Sequence, residues 1–384
     1  MTAADLQPRP APARPPRRGL ADRAAGLLLS DWFVLVLSGA YVAVLAPFLP
    51  VLLAPANLVN ILANTWPLLL VAVGQTFVLA IGGIDLSQGS VIALSSVVGG
   101  ALVTTAVDPV GMQGAPLWGT VLGPEGGPLA GVPGGVALAV LAMVAVAALV
   151  GLLNGLSVAL LEMPAFMVTL VSMIAVSALA VWLTQSEHLG NLPESFVALG
   201  KGDLVSVYLG PKTESQLPRR EVHSLVTVAM VIALAATLAA HLLLARTVFG
   251  RQVLAVGLNR RAAEISGVPV RRVVVLVFVL SAAFAALGSL LYSARLEAGR
   301  PNLGEGTLLL DVIGAAVIGG TSLFGGKAKV LWTVLGVLFF VLLSNTLNLM
   351  NLSSFQVDMV KGAVILLAAL LDVLRTRALR DRAR

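Results

Sequence analysis

Apolar stretches of about 20 residues, the length of a helix that crosses a bilayer, follow one another along most of this sequence. Ten are predicted as spans: 32–53, 66–82, 90–107, 135–161, 164–184, 223–244, 271–293, 308–320, 330–350 and 357–374. The third and eighth abut glycine-rich breaks, and the eighth is short. No stretch alternates with period two over ten residues, so a β-barrel is not expected. The pattern predicts an all-α integral membrane protein of about ten transmembrane helices with broken or re-entrant segments. Residues 1–30 are expected to be a disordered basic tail, 31–374 the transmembrane domain, and 375–384 a second basic tail.

Composition supports this reading. The chain is 58% hydrophobic and 11% charged, against about 25% charged for soluble domains. Too few charges remain to cover a water-facing surface. The net charge of +6 comes mainly from arginines in the two tails and in the loop after the sixth span. With ten spans these three segments share one side, which the positive-inside rule makes the cytoplasm. Both termini are therefore expected inside, in the cell (inner) membrane, with membrane lipid and not nucleic acid facing the chain. The loop 185–222 then lies outside. The N-terminal tail lacks the apolar core and small-residue cleavage site of a signal peptide. There is no cysteine, which excludes disulfides and thiolate chemistry. The three histidines are scattered, so no metal is expected, nor any cofactor.

Three internal segments stand out. Gly82-Gly83-Ile84-Asp85-Leu86-Ser87-Gln88-Gly89-Ser90 joins two apolar runs with almost no spacer, which implies a broken helix or tight turn at membrane depth. Asp85 either caps the following helix or gates or lines a pathway. Gly319 to Lys327 looks like a phosphate loop, but Thr321 stands where the first glycine should be and Ala328 where Ser or Thr should follow the lysine. It reads as a helix break, and the chain carries no nucleotide site. Arg260-Arg261-Ala262-Ala263-Glu264-Ile265-Ser266-Gly267 forms a short amphipathic helix with a glycine stop. It serves either as a docking knob for a partner or as a basic topology signal. Gln75, Asn154, Ser281 and Asn345 lie inside spans and either bond a neighbouring helix or meet a solute.

Together these segments resemble the ribose-type permease family of bacterial ABC importers. The resemblance rests on Asn57-Leu58 through Gly74-Gln75-Thr76, Gly82 to Ser87, Asn154-Gly155 and Ala165 to Leu170. It continues through Gly250-Arg251, Asn259, Ala262-Ala263, Ser266-Gly267, Ala294-Arg295-Leu296, Asp311 and Gly319 to Leu323. The chain departs at Leu308-Leu309-Leu310-Asp311, where the family often has Tyr-Glu-Leu-Asp. The resemblance implies a permease that works with cytoplasmic ATP-binding subunits, an extracytoplasmic solute-binding protein and a second permease copy or paralogue. It implies import of a small polar solute, foremost a monosaccharide, by alternating access, with hydrolysis left to the partners. Gln75, Asp85, Ser87, Asn154, Phe166 and Asn345 are then expected at the pathway or its gate. Arg260, Arg261, Ala262, Ala263, Glu264, Ser266 and Gly267 are expected to couple to the ATPase. The competing expectation is an ion-coupled secondary transporter; a membrane scaffold would not need two glycine-rich breaks.

Overall fold

A computed structural model describes residues 32–208 and 222–382. Helix α1 (Phe33–Leu45) passes through turns and a 3-10 segment (Pro50–Leu53) into α2 (Pro55–Ala80). Then come α3 (Gln88–Val103), the short α4 (Pro109–Met112), α5 (Gly135–Leu160), α6 (Ala165–Thr184) and α7 (Glu194–Lys201). An antiparallel pair, β1 (Asp203–Tyr208) and β2 (Val222–Thr227), precedes α8 (Val228–Arg246), α9 (Val248–Leu258) and α10 (Arg260–Ile265). Four helices complete the chain: α11 (Val270–Leu296), α12 (Leu308–Ile318), α13 (Val330–Leu349) and α14 (Ser354–Arg382).

Six of these, α2, α5, α6, α8, α11 and α13, are long and apolar enough to cross a membrane. The all-α membrane class expected from the sequence is the one found. Several boundaries differ. The span expected over 32–53 is a 13-residue helix followed by turns. The span expected to begin at 66 starts at Pro55, because a proline at the first helical position is pre-set for the helix. Residues 223–227, placed at the head of the sixth span, belong to a strand instead. The last helix does not stop at 374 but continues to Arg382. The N-terminal tail, residues 1–30, lies outside the described residues.

Helix α11 is the central post, packed on α2, α3 and α5. Small residues let the backbones close. A methyl at Gly151 of α5 would lie 2.6 Å from the Phe278 carbonyl oxygen, and one at Gly155 would lie 2.8 Å from Val275 Cα. The pair permits the close helix approach that small-xxx-small spacing allows. On the opposite face of α11, Gly288 takes the Val71 side chain and the Pro67 carbonyl of α2. Pro67 sits inside α2, where its missing N–H leaves the Ala63 carbonyl without its helical partner. Replacing Gly155 with leucine is expected to lower the unfolding free energy by about 2 kcal/mol through overpacking. Thermal unfolding in detergent checks this; an unchanged transition would refute the close contact.

The two ends of the bundle are tied differently. At one end the chain leaving α2 meets the loop before α13, with Gly326 N donating to Ala80 O at 2.9 Å. At the other, Leu189 and Gly299 exchange both backbone hydrogen bonds, and Lys201 of α7 pairs with Glu297. The hairpin and α7 belong to this second end.

Candidate functional site: a buried break, an exposed knob and a polar cavity

The first site grows from the chain between α2 and α3. Gly82 has φ +77°, Gly82 N donates to Leu79 O at 2.8 Å and Gly83 N to Val78 O at 3.0 Å. This closes α2 as glycine-terminated helices usually close. Asp85 then folds back on the start of α3. Its Oδ1 accepts from Ser87 N at 3.0 Å and from Ser87 Oγ at 2.6 Å. Its Oδ2 accepts from Ser281 Oγ of α11 at 2.8 Å. Gln88 Nε2 donates to the same Ser281 hydroxyl at 2.9 Å.

Gln75 completes the knot. With its amide oxygen facing Asp85 N–H at 3.2 Å, its nitrogen donates to Asp85 O at 3.3 Å and to Gln88 Oε1 at 3.1 Å. That orientation satisfies both ends of the amide. Asn154 Nδ2 of α5 donates to Ser87 Oγ at 2.9 Å, and Ser172 of α6 donates to Asn154 Oδ1. Gln75, Asp85, Ser87, Gln88, Asn154 and Ser281 are each at most 1% exposed. Five helices are thereby joined through one buried carboxylate that has no cation bonded to it among the described residues. In this conformation the hydrogen bonds of the knot run between protein groups.

Four of the six pathway residues expected from the sequence therefore come together: Gln75, Asp85, Ser87 and Asn154. Phe166 does not join them; it is 53% exposed on the first turn of α6. Asn345 lies apart on α13, exchanging amide hydrogen bonds with Asn57 at 3.0 and 2.8 Å. Gln88 and Ser172 were missed, although Gln88 directly follows Ser87.

The second site is the segment after α8. Asn259 Oδ1 accepts from Ala262 N at 3.0 Å and so caps α10. Gly267, at φ +82°, stops it. Arg260, Arg261, Ala262, Glu264, Ser266 and Gly267 are exposed, and Ala263 is the buried foot. Arg261 pairs with Glu264 at 3.1 Å on the surface. Leu258 and Ile265 project beside them, 74% and 75% exposed.

The base of this knob rests on both glycine breaks. A methyl at Gly257 would stand 1.9 Å from Ala80 O and 2.4 Å from Gly326 N. Gly325, at φ +85°, packs against Gly82 and Gly257 O. The segment from Gly319 to Lys327 thus forms a structural seat for α9.

The third site is a cavity of about 390 Å³ at the other end of the bundle, lined by Asn60, Asn64, Tyr292, Asp311, Asn345 and Lys361 among others. Arg295 of α11 reaches Asn64 Oδ1 at 2.8 Å and Asn60 Oδ1 at 3.2 Å. Lys361 Nζ of α14 donates to Asp311 Oδ2 at 2.7 Å. Of these groups the sequence pointed only to Asn345 as a pathway residue. Asn57, Asn60 and Asn64 recur at helical spacing, and that polar stripe was the available signal.

Residues 57–369 match the family described as branched-chain amino acid transport system / permease component. The ribose import permease protein RbsC of Bacillus subtilis (strain 168) is 33% identical over 325 residues, 84% of this chain and 86% of the relative. The L-arabinose ABC transporter permease protein AraH of Azospirillum brasilense is 31% identical, covering 87% of this chain and 84% of the relative. The L-arabinose transport system permease protein AraH of Escherichia coli (strain K12) is 33% identical, covering 81% and 80%. No solved structure matches significantly. With its helical bundle, glycine-set breaks and protruding knob, the chain belongs to this family of ABC transporter permease components.

Proposed function

We propose that the chain is the translocating subunit of an ATP-driven importer of a monosaccharide, working by alternating access. The observation that carries this reading is the seat of α9 and α10. An exposed knob whose base touches both Ala80 and Gly326 is placed to transmit a pull from outside the bundle to the break that Asp85 holds. Family membership and the ribose and arabinose permeases among the relatives support the partner set and the sugar. ATP-binding subunits grip Arg260 to Gly267 on the cytoplasmic side. A solute-binding protein docks at the opposite end, where α7 and the hairpin stand. A second permease copy or paralogue completes the pathway. Both termini lie in the cytoplasm, and the shorter apolar helices α1, α3 and α12, together with α14, bring the passes to ten. Gln75, Asp85, Ser87 and Asn154 form the latch of the pathway, and Asn345 with the polar cavity forms its outer vestibule.

The partners bias two packings of this chain rather than driving chemistry within it. Uptake of labelled ribose or arabinose into proteoliposomes, with the cognate ATPase and binding protein present, tests the reading. Uptake should require ATP; uptake driven by an ion gradient alone would refute it. A narrower prediction concerns the knob. Ile265→Asp should leave folding unchanged, because the side chain is largely exposed, yet reduce ATP-driven uptake about tenfold by spoiling an apolar contact worth 1–2 kcal/mol. Normal uptake and normal ATPase binding in this variant would place the docking surface elsewhere.

A further inference from the structure

The chain that links α11 to α12 does not cross the end of the bundle; it turns back into it. Gly299 packs on Gly100 of α3, where an added methyl would lie 3.0 Å from Gly299 Cα. Arg300 N then donates to Ser96 Oγ at 2.9 Å. Gly304 and Gly89 meet at their backbones: a methyl on either would stand 2.5 Å from the other's carbonyl oxygen. From Gly100 to Gly89, α3 descends about 16 Å by the rise of an α-helix. Gly89 adjoins Gln88 of the buried knot, and Gln88 bonds Ser281, near the midpoint of α11. The linker thus carries Glu305 to the middle of the apolar bundle.

An acid at such depth is costly, and one found there marks a solute or ion path. Glu305 is exposed. Among the described residues it has no ion pair, and its one hydrogen bond is a long one, from Ser177 Oγ of α6 at 3.4 Å. It lines the polar cavity described above and also a second cavity of about 520 Å³. Thr307 and Leu308 line the first cavity, Gly306 and Leu309 the second. Segment 304–309 is therefore the partition between them. The second cavity extends to Leu86 and Ser90, which bracket Ser87 of the knot. Gly304 and Gly306 have φ +91° and +77°, and nothing lies within 4 Å of a methyl at Gly306, so no packing fixes the partition there.

We propose that solute passes from the polar cavity into the second cavity past Glu305, that the Glu305 carboxylate accepts hydrogen bonds from solute hydroxyls on the way, and that segment 304–309 is the partition that yields. The proposal rests on the sugar-permease reading and deepens it. The entrance offers the carboxamides of Asn60, Asn64 and Asn348, which both donate and accept as sugar hydroxyls do. The route ends at Leu86 and Ser90, against the break that Asp85 holds.

The chain has no cysteine, so one introduced thiol is the sole target of a charged methanethiosulfonate. Full-length Glu305→Cys, Leu309→Cys and Leu153→Cys are reconstituted in liposomes with reagent on both faces. Leu153 is the control: it adjoins Asn154 of the knot, and so stands at a similar depth, but is 57% exposed on the outside of α5. Thiols on a watery route should react about tenfold faster than the control, because hydrocarbon excludes the charged reagent and suppresses the thiolate. If Leu309→Cys does not yield folded protein, Ser177→Cys reports on the same cavity. A thiol at 305 or in the second cavity that reacts no faster than the control would make the route a lipid groove and overturn the proposal. Ribose should slow labelling in the second cavity, and adding Glu305→Ala should raise the half-protecting concentration about tenfold, the effect of one hydrogen bond to a charged group. No protection by ribose or arabinose, or an unchanged half-protecting concentration, would overturn the role of Glu305. Uptake driven by an ion gradient alone, with protection behaving as expected, would instead sink the importer reading and leave the route standing.

Discussion

Gly257→Val should abolish ATP-driven uptake and destabilise the chain by about 3 kcal/mol, the upper end of ordinary overpacking costs. The reason is local and steric. The first carbon of any side chain at this position would stand 1.9 Å from Ala80 O and 2.4 Å from Gly326 N. Those two atoms are hydrogen-bonded to each other, so neither can retreat without opening the junction of α2, α9 and the loop before α13. The obstacle is backbone, and no rotamer change relieves it. Gly39→Val in α1 is the matched control, since nothing lies within 4 Å of an added methyl there; its effect should stay within about 0.5 kcal/mol. Uptake and thermal unfolding of both variants are measured side by side. Wild-type transport by Gly257→Val would mean that the base of the knob does not need this contact.

Asp85→Ala has the second large effect, a loss of about 4 kcal/mol in stability. The substitution strips three hydrogen bonds from one buried carboxylate. It leaves the Ser87 N–H and the Ser281 hydroxyl without their acceptor in a region closed to water. Asp85→Asn should cost only about 1 kcal/mol. Its oxygen can still accept from Ser87, and its amide can donate to Ser281 Oγ, which has a second lone pair to offer. The ordering of the two variants separates a structural knot from a group that must carry charge. If Asp85→Asn were as damaging as Asp85→Ala, the charge itself would be required. If Asp85→Ala were harmless, the knot would not hold the break.

Much of this arrangement was legible in the sequence where local chemistry dictates it. The run Gly82 to Ser90 announced a break, because glycines and a carboxylate between apolar runs leave no other option in a membrane. The short helix beginning at Arg260 and its stop at Gly267 were likewise readable, since αL geometry there favours glycine. Alternatives left open at Asp85 could be weighed only once Ser281 was known to face it from almost 200 residues away. The first turns of α2 were lost because three asparagines in ten residues resemble a loop. They are tolerated in a helix since Asn57 pairs with Asn345, and Asn60 and Asn64 meet Arg295. The hairpin was missed because its strands are six residues long and exposed along most of β1, which erases the inward-outward alternation that marks a strand. The cavity was invisible for a different reason: its walls come from α2, α11, α12, α13 and α14, and no local pattern reports that meeting.

Helix α2 carries Asn60 and Asn64 above Pro67 and Gln75 and Ala80 below it. The end that lines the polar cavity and the end that rests beside Gly257 are thus two segments of one rod, joined where a rung of the ladder is missing. A rod with such a gap bends more readily there than elsewhere. On the alternating-access reading proposed above, a strut hinged in this way would let one end open before the other, which guards a carrier against leaking through both at once.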